Sequence, residues 1–216
     1  MIGPSLEGPV AFVDIDTQRD FLEPDGALAI AGCQAIVPNL ARLSDFARQR
    51  GIIVIATACA HDEQSAELAT FPSHCMMGSS GQERIAATKE DNSLILRRGQ
   101  AWNCEQTASA RHVTVEKDAY DVFSRPEAAN VFGSFSRANP TFIVYGVATD
   151  YCVKAAVEGL LERGYRVALV VDAIRAIDPV AESHLLTRFA QEGVLLTLTD
   201  NVISHVNTDN AQNHAR

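Results

Sequence analysis

Thr141-Phe142-Ile143-Val144-Tyr145-Gly146-Val147-Ala148-Thr149-Asp150-Tyr151-Cys152-Val153 passes from an unbroken apolar run into residues at helical spacing: Val153, Ala156, Val157 and Leu160. A continuous apolar run bounded by glycine reads as a strand covered on both faces, the kind found in parallel sheets. The helix expected over 152–163 is stopped by Gly164, and a second apolar run over 166–171 follows. Strand, helix and strand in that order make a parallel crossover unit. The pattern extends in both directions. Upstream, residues 10–16 read as a strand ending in acid. Ile36, Leu40, Leu43 and Phe46 then recur at helical spacing before Gly51, and residues 52–57 form another covered strand. Downstream, a helix over 180–192 ends at Gly193 and precedes a strand over 194–198. Short strands are expected at 94–96 and 113–115, whereas residues 59–93 lose periodicity and read as a long excursion with one short helix. The alternation predicts an α/β fold with a doubly wound, mostly parallel sheet and helices on both faces. We expect a single domain over 1–216, with its core at about 9–200 and a flexible tail over 201–216.

The composition bounds the function. With 216 residues, 47% apolar and 21% charged, the chain has the makeup of one globular domain. No run approaches the roughly 20 apolar residues of a membrane span, and residues 1–8 lack the features of a signal peptide. A net charge of −9 argues against a nucleic-acid partner, which requires basic patches. The five cysteines are odd in number and widely spaced, so a reducing, cytoplasmic compartment is expected rather than a disulfide framework.

In open parallel sheets chemistry collects beyond the carboxyl ends of the strands. Three residues there form a coherent set. Cys152 follows a buried strand and opens a helix, where the macrodipole and free N–H groups favour thiolate and lower the thiol pKa. Asp16 ends the first strand, where a carboxylate is costly unless paired. Lys117, in Val115-Glu116-Lys117-Asp118, ends another strand and supplies a cation. The lysine offsets the carboxylate and stabilises the thiolate, while the carboxylate shuttles the thiol proton to a leaving amine. Each residue also has a plain structural reading: a space-filling cysteine, a capping aspartate, a solvated lysine.

Four segments resemble one family. Asp16-Thr17-Gln18-Arg19-Asp20-Phe21 resembles the D-x-Q-x-D-F opening of the isochorismatase-like cysteine hydrolases. Gly146-Val147-Ala148-Thr149-Asp150-Tyr151-Cys152-Val153 resembles their nucleophile turn. Lys117, in Lys117-Asp118-Ala119-Tyr120-Asp121-Val122-Phe123, falls where the family lysine falls. Phe71-Pro72-Ser73-His74-Cys75-Met76-Met77-Gly78-Ser79 resembles a segment of the nicotinamidase and pyrazinamidase branch. The four occur in family order. The resemblance implies a triad of Asp16, Lys117 and Cys152. It also implies a cis peptide between Val147 and Ala148, with the Ala148 and Cys152 amides facing a substrate oxyanion, and a pocket lined by Phe21, Phe71 and Tyr120. It implies a homo-oligomer acting on a small-molecule amide such as nicotinamide. Isochorismatases proper usually lack the nucleophilic cysteine, so Cys152 argues against that branch.

The pattern breaks at one place. Nicotinamidases carry a metal on a T-x-D-x-H segment, which here reads Thr57-Ala58-Cys59-Ala60-His61, and the further histidine expected soon after His61 is missing. Cys59, His61 and His74 form one candidate set for zinc or another divalent metal. Asp62 or Glu63 is a possible oxygen ligand. The rival reading is a decayed site, which favours a metal-free hydrolase of a carbamoyl, ureido or maleamate-type amide. A catalytically idle ligand-binding member of the fold is the non-enzyme alternative. A redox-sensing role for Cys152 ranks last, because no resolving cysteine lies near it in the sequence.

Overall fold

The computed structural model describes residues 6, 8–100, 106–107, 110–135 and 139–206. Seven parallel strands form one sheet: β1 (Val10–Ile15), β2 (Val54–Cys59), β3 (Leu94–Leu96), β4 (His112–Lys117), β5 (Thr141–Val147), β6 (Arg166–Arg175) and β7 (Leu195–Thr197). Their spatial order is β3-β4-β2-β1-β5-β6-β7. The chain winds outward from β1 to β3, returns through β4, and crosses to the other side of β1 with β5. This is the expected doubly wound α/β fold, and its switch point lies between β1 and β5.

Every residue of β2, β4 and β5 is buried. That is why β2 and β5 read as continuous apolar runs rather than alternating ones, whereas β4 buries the polar His112, Thr114, Glu116 and Lys117 among its two valines. Helices α2 (Val37–Arg50), α3 (Pro126–Phe135), α4 (Lys154–Glu162) and α5 (Pro179–Gln191) cover the faces, after a short α1 (Arg19–Leu22). Gly51 ends α2 in the left-handed conformation that glycine adopts at no steric cost. Phe12, Phe132, Phe142 and Tyr145 are fully buried, and edge-on contacts link Phe12 to Tyr145 and Phe132 to Phe142.

Several expectations need correction. Helix α3 was not expected; its Ala128, Val131, Phe132 and Phe135 are buried between polar residues, a helical pattern. Strand β6 runs four residues past the expected 171, to Arg175. Residues 59–93 hold two short 3-10 turns, Ala66–Ala69 and Ser80–Gln82, instead of one helix. Residues 201–205, expected in a flexible tail, are helical instead. Residues Thr199–His205 form α6, whose Val202 is fully buried and whose Asp200 pairs with Arg42 of α2 at 2.5 Å. Residues 207–216 and Cys104 lie outside the described residues.

Candidate active site

Asp16, Cys59, Lys117 and the turn after β5 meet at the carboxyl edge of the sheet, beside the switch point. Asp16 directly follows β1 with φ of 47°, a left-handed conformation in which aspartate is more at ease than most residues. Its side chain is fully buried. Thr57 on the neighbouring strand locks it: the Thr57 hydroxyl donates to Asp16 Oδ1 at 2.6 Å, and the Asp16 amide donates to Thr57 Oγ1 at 3.2 Å. Lys117 Nζ donates to Asp16 Oδ2 at 2.8 Å and to Cys152 Sγ at 3.4 Å. The three residues, far apart in sequence, are therefore in mutual contact.

Gly146 permits the turn that carries Cys152. Its φ is 117°, and a Cβ there would lie 2.1 Å from the Ile15 carbonyl oxygen. The Val147–Ala148 peptide is cis. Residues Thr149–Val153 form one wide π turn ahead of α4, so the α-helix itself begins two residues after Cys152. The Asp150 carboxylate ties this turn to the loop before α5. It accepts from the Ile177 amide at 3.0 Å and the Asp178 amide at 2.9 Å.

The electrostatics differ from the sequence reading in one respect. Burial works to raise the Asp16 pKa, but the Lys117 charge and the hydrogen bonds from Lys117 and Thr57 outweigh it. The carboxyl group is held below its ordinary range. Burial likewise opposes the Lys117 charge, yet Asp16 and the thiols hold its pKa well above the usual value. The thiol of Cys152 was expected to be lowered. Instead its hydrogen bond with Cys59, together with burial, pushes it well above the ordinary value, against the pull of Lys117. The resting site is thus a thiol beside an ionised Asp16–Lys117 pair. Neighbouring contacts outweigh the helix start because a charge inside the protein is desolvated on all sides.

A second cluster lies beside the first. His61, Glu67 and His74 bring one donor atom each within 4.8 Å of one another, and all three are buried. The His61 amide donates to the Cys75 carbonyl at 3.0 Å and the Met77 amide to the His61 carbonyl at 2.9 Å, which stitches the His74 segment alongside. Both His61 ring nitrogens and Glu67 Oε1 are buried without a hydrogen-bond partner among the described residues. The His74 Nδ1 lies 2.7 Å from the Pro72 carbonyl, so it carries the proton and leaves Nε2 free. Burial, His74 and Lys117 lower the His61 pKa to about 4, so its imidazole is neutral at pH 7, the form that binds metals. Unpartnered buried nitrogens and a buried carboxylate are costly unless a cation satisfies them. These three residues fit a divalent metal.

The ligand set expected from sequence needs correction here. Cys59 does not group with the histidines. Its sulfur joins Asp16 and Cys152 within 4.8 Å and accepts from Lys117 Nζ at 3.3 Å. The side chain of residue 59 follows the pleat of β2 into the triad, whereas His61 lies beyond the strand end. Glu67 takes the third position instead; one glutamate in an aperiodic polar stretch carries no ligand signal in the sequence. Asp62 is engaged elsewhere, accepting from Arg98 at 2.6 Å. The cluster of Asp16, Cys59 and Cys152 does not suit a metal, because the Lys117 ammonium already sits among its donors.

Aromatic rings border both clusters. Phe21 lies 5.3 Å from the His74 ring, Phe71 6.2 Å from His74 and 5.2 Å from Tyr151, and Tyr120 5.2 Å from Tyr151. The structure thus links Phe21, Phe71 and Tyr120 through two further rings. Tyr151 carries no pattern of its own in the sequence, and only its contacts with Phe71 and Tyr120 mark it as part of this aromatic set.

A sequence model of the isochorismatase domain matches residues 10–201. The chain belongs to the isochorismatase-domain family. A nicotinamidase of Escherichia coli is 27% identical, the match covering 89% of this chain and 96% of that one. A protein of Arabidopsis thaliana described as a probable inactive nicotinamidase is 28% identical over 78% of this chain and 82% of its own. Among solved structures, a pyrazinamidase of Pyrococcus horikoshii in complex with zinc superposes with a TM-score of 0.70 at 25% identity, over 88% of this chain and 98% of that one. The isochorismatase-domain fold thus includes hydrolases of amide C–N bonds. Among the described residues, no helix is long and apolar enough to cross a membrane.

Proposed function

We propose that this protein is a cysteine-dependent amidohydrolase that releases ammonia from a small planar amide such as nicotinamide. One observation carries the reading: a buried ammonium within hydrogen-bond distance of both a carboxylate and a thiol, at the carboxyl edge of the sheet. Cys152 Sγ attacks the amide carbon and passes its proton to Asp16 Oδ2. The developing oxyanion meets the Ala148 and Cys152 amides. Asp16 gives the proton to the departing nitrogen, and ammonia leaves a thioester on Cys152. Asp16 then takes a proton from water, which attacks the thioester, and as the carboxylic acid leaves Asp16 returns that proton to the Cys152 sulfur. Lys117 stays charged throughout. Its contacts hold the carboxylate and the sulfur in place and stabilise the thiolate character that develops during attack.

Phe21 and Phe71, with Tyr120 beside Tyr151, supply aromatic walls for a flat ring. His61, Glu67 and His74 would hold zinc or a similar divalent ion, which would supply a Lewis acid for a ring nitrogen. The proposal extends to a homo-oligomer in the cytoplasm, supported by the family resemblance and the cysteine usage, with no nucleic-acid partner.

The test is ammonia release from nicotinamide by the wild type and by Cys152→Ala, each before and after chelation and zinc restoration. Release by the wild type alone, lost on chelation and restored by zinc, is the expected result. No release from folded, zinc-loaded wild type overturns nicotinamide as the substrate. Carbamoyl, ureido and maleamate-type amides are then assayed, and failure on all of them leaves a ligand-binding member of the fold.

A further inference from the structure

Cys59 and Cys152 are remote in sequence, yet their sulfurs lie within 4.8 Å of each other and share the Lys117 ammonium as a hydrogen-bond donor, at 3.3 and 3.4 Å. Nothing in the proposed amide hydrolysis uses Cys59. Its backbone is clamped on both sides by one side chain. Gln18 Nε2 donates to the Cys59 carbonyl at 2.8 Å, and the Cys59 amide donates to Gln18 Oε1 at 2.7 Å. The Cys59 thiol in turn donates to Asp16 Oδ2 at 3.4 Å. The other described cysteines face elsewhere: Cys33 Sγ towards the Leu22 carbonyl, Cys75 Sγ towards the Gly81 carbonyl. The tertiary structure therefore supplies the partner thiol that no sequence neighbour of Cys152 offers.

We propose that Cys59 and Cys152 form an oxidation site for small hydroperoxides, with Cys152 as the attacked thiol and Cys59 as the resolving one. Cys152 sulfur, giving its proton to Asp16, attacks the peroxide oxygen. The O–O bond breaks, and the second oxygen leaves as water or an alcohol after taking up that proton. Cys152 is now a sulfenic acid. Cys59 sulfur attacks the Cys152 sulfur, and the S–OH bond breaks. The hydroxide leaves as water with the Cys59 proton, handed over through Asp16. In sum, two thiols and one hydroperoxide give one disulfide, one water and one water or alcohol; the sulfurs lose two electrons and the peroxide gains them. The disulfide removes the nucleophile from amide hydrolysis in a form that a thiol reductant reverses. It also intercepts the sulfenic acid before irreversible oxidation to sulfinic acid. The site stands on the two thiols and does not depend on the identity of the amide.

The experiment treats reduced, full-length protein with hydrogen peroxide and alkylates the remaining thiols. The protein is then digested without reductant by trypsin plus a protease that cuts before aspartate. Cleavage at Asp62 separates Cys59 from Cys75. The expected result is a linked peptide pair carrying Cys59 and Cys152, abolished by dithiothreitol, with two of the five thiols lost. In Cys59→Ser the pair is absent and Cys152 is recovered as sulfinic acid. Wild-type Cys152 found as sulfinic acid while Cys59 remains alkylatable, or joined to a different cysteine, overturns the proposal. The wild-type map decides the matter even if the variant fails to fold. Ammonia release, followed in parallel, separates the two readings: protein inactive on every amide that still forms the bond refutes only the hydrolase, and active protein that never forms it refutes only the oxidation site.

Discussion

Lys117 Nζ lies 2.8 Å from Asp16 Oδ2, and both side chains are at most 1% exposed. Removing one member of a buried ion pair strands the other, at a cost of roughly 3–5 kcal/mol. Lys117→Met is therefore expected to lose that much unfolding free energy and to release no ammonia. Denaturant unfolding and the ammonia assay on the same sample read both effects. Stability equal to wild type would show that the pair is not closed in solution.

The same pair sets a pH dependence. Asp16 is held below its unfolded value, so its contribution is present above about pH 4 and is lost as pH falls through the folded pKa. Lys117 is held above its unfolded value, so its contribution is present below about pH 10 and is lost as pH rises through the folded pKa. In Lys117→Met the Asp16 carboxyl keeps its burial but loses the charge that offsets it, so its pKa rises, and the stability difference from wild type is expected to be largest near and above neutral pH and to shrink as pH falls towards about pH 4. Unfolding curves across that range check it. A difference that stays constant from about pH 8 down to about pH 4 would show that Lys117 does not offset the burial of the Asp16 charge.

Zinc affinity separates the two ligand sets. Glu67→Gln and His61→Ala each remove a member of the buried cluster. Each should lower zinc affinity by more than the roughly 10–100-fold that loss of a supporting hydrogen bond costs. Cys59→Ser should leave it unchanged, because that sulfur faces the triad. Competition with a chromophoric chelator measures all three, and a Cys59→Ser protein that binds zinc as weakly as Glu67→Gln would restore Cys59 to the ligand set.

Asp150 holds the turn that carries Cys152 through the Ile177 and Asp178 amides. Hydrogen bonds to a charged group contribute about 1.5–3 kcal/mol each, less where solvent reaches them. Asp150→Ala is expected to lower kcat more than it raises KM, because it loosens the attacking sulfur rather than the aromatic walls. Steady-state kinetics with Asp150→Asn alongside checks this. The asparagine variant keeps one acceptor oxygen, so it should fall between wild type and alanine.

Much of the fold was legible along the chain because burial on both faces leaves a plain mark. Strands β2 and β5 read as strands from their apolar runs alone, and Gly51 marks the end of α2. The weak elements were those whose signal is diluted. Helix α3 carries four buried residues among small and polar ones, and α6 is short and relies on Val202 and the Arg42–Asp200 contact with α2.

The sequence by itself determined the alternation of strands and helices, hence the parallel sheet, and it placed Asp16, Lys117 and Cys152 at strand ends. Those are consequences of local periodicity and of the parallel crossover that strand, helix and strand in succession make. Only the tertiary structure decided which way residue 59 points. It gave Cys59 to the thiol cluster, drew Glu67 to the histidines, and raised the Cys152 thiol that its helix position alone would lower. The physical reason is that side-chain neighbours and desolvation depend on strands and loops brought together from distant parts of the chain. Their effect on a buried charge exceeds that of any local motif.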